Sequence, residues 1–340
     1  MDINKFIKPT TRVYRKQVLE GYSIPAIIKN GTHFFTDLDV YENGRVACWN
    51  FEDFEHFKND VNRGWVSVSI PDNERISIHG LGDWTIGNGN WIFDKDTFIY
   101  YVQQLIKELN PKLENLFQYS KKTINGVSIG ENGNGTVFKE LKKYPNDIFP
   151  EKLEGQSVNL FYKESQGYYL IKVNVFADNT LQLSRLETPI DLTISEFEKL
   201  VKEKIILTEI PVHSKVLIYG LGNFEIVKNE FHTTIEEKVL EIRDILRDLN
   251  GQPSTIVICR EAYRNYIENP TIANREKLKN SYEKVPDHQK MYVGDMDTKD
   301  TEVRMIIYGD QEIESWSHYQ VAKSQGKTLP TITVIRPKDE

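Results

Sequence analysis

The chain has 340 residues, of which 39% are hydrophobic and 27% charged, with a formal net charge of −7. This composition excludes a disordered chain, and the lack of any apolar run of about 18 residues excludes a membrane-spanning helix. The acidic balance argues against attachment to nucleic-acid backbones, which needs clustered Lys and Arg, and leaves only a local basic patch as a route to such a partner.

In chain order, residues 32–40 and 45–49 are β-prone runs joined by Tyr41-Glu42-Asn43-Gly44, where Asn-Gly supplies the positive φ of a tight hairpin. Residues 51–61 carry helical spacing, with Phe54, Phe57 and Val61 on one face. Residues 65–70, 75–79 and 83–86 read as strands, the last two joined through Gly80-Leu81-Gly82, whose Leu81 folds back onto the core. Residues 95–110 place Phe98, Ile99, Val102, Leu105, Ile106 and Leu109 at helical steps, which predicts an amphipathic helix closing against a sheet.

The pattern then returns. Residues 76–86 and 216–226 align with five identities in eleven positions, among them Gly80-Leu81-Gly82 against Gly220-Leu221-Gly222. Upstream, Leu19-Glu20-Gly21 is echoed by Leu153-Glu154-Gly155, and a short insertion near residues 186–190 accounts for the change of offset. In the second copy Asp178-Asn179-Thr180 takes the place of the Asn-Gly turn, with Asn179 left-handed. Residues 194–201 supply the short helix, and Ile235, Val239, Ile242, Ile245, Leu246 and Leu249 the closing one.

The expected fold is therefore α+β: two tandem repeats, each an antiparallel sheet with a short helix and a closing amphipathic helix, plus a smaller C-terminal α/β unit. The boundaries are an N-terminal arm at 1–18, copy one at 19–111, a linker at 112–152, copy two at 153–251 and the C-terminal domain at 252–340. The linker holds the glycine-rich stretch 130–135, read as a flexible loop. The two copies are expected to pack about a pseudo-twofold axis, as a homodimer interface would. In the terminal domain, residues 254–259, 302–308 and 331–335 read as strands and 310–325 as a helix. Two further helices meet at Asn269-Pro270-Thr271, with Thr271 capping the second.

Duplication sorts the candidates for chemistry. His79 and Asp83 could form an acid/base pair, but copy two answers with Tyr219 and Asn223, which keep size and lose titratable function, so a structural role is expected. Trp84 and Trp91 are matched by Phe224 and Phe231, which favours core packing over a stacking surface. Cys48 and Cys259 read as buried free thiols in strands. The densest polar set lies near the end: Asp295, Asp297 and Asp300 on one loop, with His288, Arg304, Glu312, Glu314 and His318 around them. The three aspartates could gather a divalent cation, with His288 or His318 as ligand or base and Arg304 as a carboxylate partner. The spacing is not an EF-hand, so the competing reading is a turn held by Asp-to-backbone hydrogen bonds. His318 is expected to point away from the core. No cofactor is predicted beyond that possible cation.

The tandem units, with their Asn-Gly hairpin and Ile78-His79-Gly80-Leu81-Gly82 turn, resemble a family of bacterial domains with no assigned activity, most strongly over residues 19–111. The tail pattern, from Gly294-Asp295-Met296-Asp297 through Glu314-Ser315-Trp316-Ser317-His318 to Leu329-Pro330-Thr331, is similar to another such family. The resemblance implies a bacterial or phage origin and supplies no catalytic residue. The expected function is a non-catalytic cytoplasmic recognition protein, of the immunity, antitoxin or defence-associated kind, whose acidic surface suits a basic protein partner. Two alternatives stand beside it: a metal-dependent hydrolase or nuclease using the acidic loop, and a small-ligand sensor with its pocket between the repeats. No membrane partner is expected.

Overall fold

A computed structural model of the chain describes residues 19–49, 53–114, 116–117, 121–124, 127–130, 141–143 and 153–338. The N-terminal arm, Phe51 and residues 131–135 of the glycine-rich stretch lie outside the described residues.

Copy one runs β1 (Gly21–Asn30), β2 (Thr32–Tyr41), β3 (Val46–Ala47), α1 (Phe54–Asn62), β4 (Val66–Ser67), β5 (Arg75–Ile78), β6 (Gly82–Trp91) and α2 (Lys95–Leu109). Three short strands follow where a linker was read: β7 (Lys121–Ile124), β8 (Val127–Gly130) and β9 (Leu141–Lys143). Copy two repeats the order with β10 (Leu153–Glu164), β11 (Gly167–Phe176), β12 (Thr180–Ser184), β13 (Ile190–Thr193), α3 (Ile194–Lys202), β14 (Ile206–Leu207), β15 (Lys215–Ile218), β16 (Gly222–His232) and α4 (Ile235–Leu249). The insertion expected near residues 186–190 leads into β13, which lengthens the β11–β12 meander by one strand. Gly44 at φ 78 and Asn179 at φ 65 occupy the two positive-φ hairpin positions.

The registers of the two copies coincide. In copy one β2 and β5 are parallel with His33 opposite Ile76, and β5 meets β6 with Ile76 opposite Trp84. In copy two β11 and β15 are parallel with Tyr168 opposite Val216, and Val216 faces Phe224 on β16. The sheets are thus mixed rather than purely antiparallel, because the chain crosses through α1 or α3 before rejoining, and a crossover delivers a parallel strand. Each β4–β5 or β14–β15 turn holds a left-handed residue, Asn73 at φ 65 and His213 at φ 66, whose N–H donates across the sheet to Ile86 O and Ile226 O at 2.7 Å in both cases.

The copies join edge to edge. β6 and β16 pair antiparallel with Gly82 opposite His232, Gly222 opposite Trp91 and, midway, Ile86 opposite its own counterpart Ile226. Pairing of equivalent residues places a local twofold axis there. Two further bonds flank it, Ile92 N–H to Leu221 O at 3.0 Å and Thr233 N–H to Leu81 O at 2.8 Å. Leu81 and Leu221 fold inward and are buried.

The chain divides into two compact units. One takes the described residues of Met1–Ala26, Asp37–Val68 and Phe93–Val137; the other takes Ile27–Thr36, Ser69–Ile92 and Phe138–Glu340. The first has a core of Ile24, Leu38, Val40, Phe57, Val61, Phe98, Val102 and Ile106, with the Phe57 and Phe98 rings edge to face at 5.7 Å. At roughly 1.5–3 kcal/mol per large apolar side chain, these burials hold α1 and α2 in place. The second unit is centred on buried strand residues such as Leu170, Val173, Val216, Phe224 and Ile226. Trp84 is fully buried there, its ring edge-on to Phe161 at 5.3 Å.

After copy two the described chain is helical: α5 (Thr255–Glu268), α6 (Ile272–Tyr282), α7 (Asp287–Lys290), α8 (Thr301–Tyr308), a 3-10 turn (Asp310–Ser315) and α9 (Ser317–Ser324). The α+β class holds for the chain, but the strands expected at 254–259 and 302–308 are α5 and α8. Both segments are short apolar runs, which periodicity cannot assign. The pattern settles it afterwards: Val257 and Ile258 are exposed while Cys259 and Tyr266 are buried, as one helical face requires. Residues 331–335 form no strand; Ile335 O accepts the Tyr266 hydroxyl at 2.7 Å. The helix expected at 310–325 breaks at Trp316, which is extended at φ −69 and ψ 129. Thr271 does cap α6, accepting from Asn274 N at 3.2 Å.

A Cβ on Gly82 would lie 2.4 Å from Phe231 O, and one on Gly222 would lie 2.5 Å from Asn90 O, so each copy's second turn glycine admits the other copy's backbone. Gly82→Ala and Gly222→Ala are each expected to lose roughly 3 kcal/mol or more in urea denaturation. Gly220→Ala, left-handed at φ 77 with nothing within 4 Å, should lose only about 1–2 kcal/mol. Equal losses at all three would refute the close approach.

Candidate functional site

The acidic loop is built by its own aspartates. Asp295 Oδ1 accepts from Asp297 N at 2.7 Å, and Asp295 O accepts from Lys299 N at 2.7 Å as Lys299 turns left-handed at φ 53. Gly294 is obligatory, since a Cβ there would fall 1.7 Å from Lys299 O. Trp316 Nε1 donates to Asp297 O at 3.0 Å, and the Tyr282 hydroxyl donates to Asp300 Oδ2 at 2.6 Å. Burial, followed by that carboxylate, pushes the Tyr282 hydroxyl far up its scale. Arg304 pairs with Glu312, and Glu314 lies 3.8 Å from Lys323. His318 is exposed, as expected, with its ring 5.0 Å from that of Trp316. His288 lies elsewhere. Among the described residues no three His, Cys, Asp or Glu side chains converge to hold a metal ion.

His288 belongs to a buried cluster that sequence reading missed. Lys238 is 1% exposed and its Nζ lies 2.6 Å from Glu241 Oε2, while His288 Nε2 lies 3.2 Å from the same oxygen. The cluster sits beneath the Gly80 turn, where an added Cβ would stand 3.1 Å from Lys238 Nζ. Burial opposes the charge on Glu241, but His288 and Lys238 outweigh it and hold the carboxyl below its usual range. The equivalent residues of copy one are Phe98 and Tyr101. One turn further along α4, Asp244 accepts from Thr255 N at 3.1 Å and caps α5 in place of Ser254, which makes no side-chain cap. Copy one has Gln104 there.

Core packing holds for Trp84 and Phe224, which are buried, but not for Phe231, which is 58% exposed. His79 is exposed on its turn, and Asp83 lies 3.6 Å from Arg75 Nη2. Trp91 stacks on Phe224 at 6.2 Å, and Phe93 stacks on Tyr101 at 5.1 Å. Both cysteines are free thiols, with Cys259 on α5 rather than a strand; burial pushes its thiol up to about 11.

An open feature of the second unit is a groove along the α5–α6 hairpin. Two cavities of about 550 and 500 Å³ have Ile258 and Lys277 in common. Arg247 and Lys284 line only the first, Glu261 and Glu268 only the second, and Lys277 lines both. Only Arg247 of these five has an ion-pair partner among the described residues, Asp244 at 3.2 Å. The groove is not evident in the sequence because its residues are mostly ordinary polar positions spread from α4 to the turn after α6; the signal was the repeat of polar residues at helical spacing in Asn274, Lys277, Asn280 and Lys284.

Fold and site together define a protein made of a duplicated α+β module followed by a helical domain. The chain belongs to the family described as Domain of unknown function (DUF7638), whose model matches residues 9–113 and 143–253, one segment on each copy. Residues 254–332 match a second model, Domain of unknown function (DUF7639). No curated protein and no solved structure matches the chain. No described helix is long and apolar enough to cross a membrane.

Because the folded Glu241 carboxyl titrates below its unfolded counterpart, its stabilisation is complete above about pH 4.5 and is lost as the pH falls through the folded value. Glu241→Gln leaves Lys238 buried without a counter-charge and is expected to cost about 3 kcal/mol near neutrality, with a flatter acid limb. Adding Lys238→Met should recover most of that loss. Urea titrations across the acid range check both, and a loss below about 0.5 kcal/mol would show a solvated pair.

Proposed function

We propose that the chain is a non-catalytic recognition protein that binds another protein, as an immunity, antitoxin or defence-associated factor of a bacterial or phage cytosol would. The observation that carries this reading is the contrast between two polar sets of the helical domain. The acidic loop spends its groups on itself: Asp295 on Asp297 N, Asp300 on Tyr282, Arg304 on Glu312. The groove presents charges to solvent instead. The exchange of His79 and Asp83 for Tyr219 and Asn223 between copies supports a structural rather than a chemical use of the duplicated turns. The net charge of −7 favours encounter with a basic partner.

The test is recovery of the wild-type chain from cells that encode it at low salt, identification of the co-purifying protein, and reconstitution of the purified pair by size exclusion. A stoichiometric complex that weakens as salt rises is expected. A chain that elutes alone at every salt would overturn the reading. Calorimetric titration with Mg²⁺, Mn²⁺ and Ca²⁺ separates the enzyme alternative: no saturable heat is expected from the wild type or from Asp295→Asn/Asp297→Asn. Saturable binding lost in the double variant would favour a metal-dependent hydrolase.

A further inference from the structure

We infer that the α5–α6 groove binds an extended segment of the partner polypeptide, laid along the hairpin with an acidic side chain at the Arg247 and Lys284 end and a basic one at the Glu261 and Glu268 end, and with Lys277 between. The inference rests on the recognition reading and deepens it. α5 has 14 residues and so is about 21 Å long. About six extended residues cover that span.

Charge segregation gives the occupant a direction. Lys277, Lys284, Glu261 and Glu268 have no ion-pair partner among the described residues; Lys284 lines only the first cavity and the two glutamates only the second, with Lys277 between them. A nucleic-acid strand fits poorly, because its phosphates would meet the two glutamates. A peptide with an acidic and a basic residue separated by a few positions meets both.

The polar lining between the ends selects the backbone state. The side chains of Gln252, Asn265 and Asn280 have no hydrogen-bond partner among the described residues. Each carboxamide offers donors and an acceptor together, the complement of a peptide group. A helix has already paired its N–H and C=O groups and would leave these amides unanswered, whereas an extended segment has its own free. The apolar floor is Ile258, 41% exposed, with Ala262 beside it. That is too little to bury the stripe of an amphipathic helix and enough to seat one apolar side chain.

The probes are fluorescein-labelled, end-blocked peptides Glu-Glu-Gly-Ser-Gly-Lys-Lys and its reverse, with an uncharged Gly-Ser repeat as control, measured by fluorescence anisotropy on the full chain at low salt. One charged order should saturate, the other should bind about tenfold more weakly, and the control should not bind. Lys277→Glu/Lys284→Glu, at two exposed positions, should weaken the preferred peptide at least about tenfold while its thermal melt matches wild type. The inference is overturned if neither order saturates by millimolar concentration, if the variant binds like wild type, or if inorganic phosphate or a single-stranded oligonucleotide competes as well as unlabelled peptide. A purified partner that binds the variant and wild type equally would also remove the groove while leaving the recognition reading intact. A wild-type chain with no partner at all would remove that reading instead.

Discussion

Where β6 meets β16, Gly82 lies against Phe231 O and Gly222 against Asn90 O, and no side chain fits between. Much of the second unit depends on this close approach of equivalent backbones. It lets Ile86 pair with Ile226, so the two sheets continue into one another and neither module leaves its last strand as a free edge. It buries Leu81 and Leu221 under their turns and brings Trp84 of one copy onto Phe161 of the other. The ladder shifts register three times along its length, and these bulges accommodate two strands whose twists were each set by their own module.

On this symmetric frame the third segment attaches asymmetrically. The closing helices α2 and α4 share their caps, with Asp94 and Thr97 in one and Thr234 and Glu237 in the other making the same reciprocal box. Three of the positions at which they differ bear on the attachment. Phe98, Tyr101 and Gln104 of copy one become Lys238, Glu241 and Asp244 in copy two. Glu241 lies against His288, Lys238 pairs with Glu241, and Asp244 caps α5. Glu237 adds a bond from Asp287 N at 3.0 Å. A buried ion pair contributes little net stability against an apolar alternative, but it penalises every arrangement that leaves one charge unmatched. The substitutions therefore specify which copy receives the helical domain more than they strengthen the attachment.

The duplication was legible because it repeats side-chain shape at a constant spacing, and the Gly-Leu-Gly turns, the Asn179 turn and both closing helices follow from it. β1 was not legible: its apolar residues Ile24, Ala26, Ile27 and Ile28 do not alternate, and Pro25 interrupts them. α5 and α8 were misread as strands because Ile256-Val257-Ile258 and Val303 to Ile307 are short β-branched or alternating runs, and tertiary capping by Asp244 is invisible in a local window. The acidic loop was legible as a turn and conspicuous as a cluster. Conspicuous clustering of like charges misleads when carboxylates have a backbone or hydroxyl donor close in sequence or space, as Asp295 and Asp300 do. The groove was illegible for the opposite reason, since its charges come from α4, α5, α6 and the turn after α6 and become a pattern only when the fold brings these together.

The groove's electrostatics also bear on the kind of recognition it supports. At physiological ionic strength the screening length is about 8 Å, while the two ends of the hairpin are about 20 Å apart. Each end therefore acts on a partner locally, and the pair reads the order of charges along a segment rather than its net charge. Exposed ion pairs contribute at most about 1 kcal/mol each, so the ends give direction and encounter rate more than affinity. Ordering a flexible segment opposes binding at every residue. The balance favours a reversible contact whose selectivity lies in register, with Ile258 as the one apolar seat that fixes the segment along the groove.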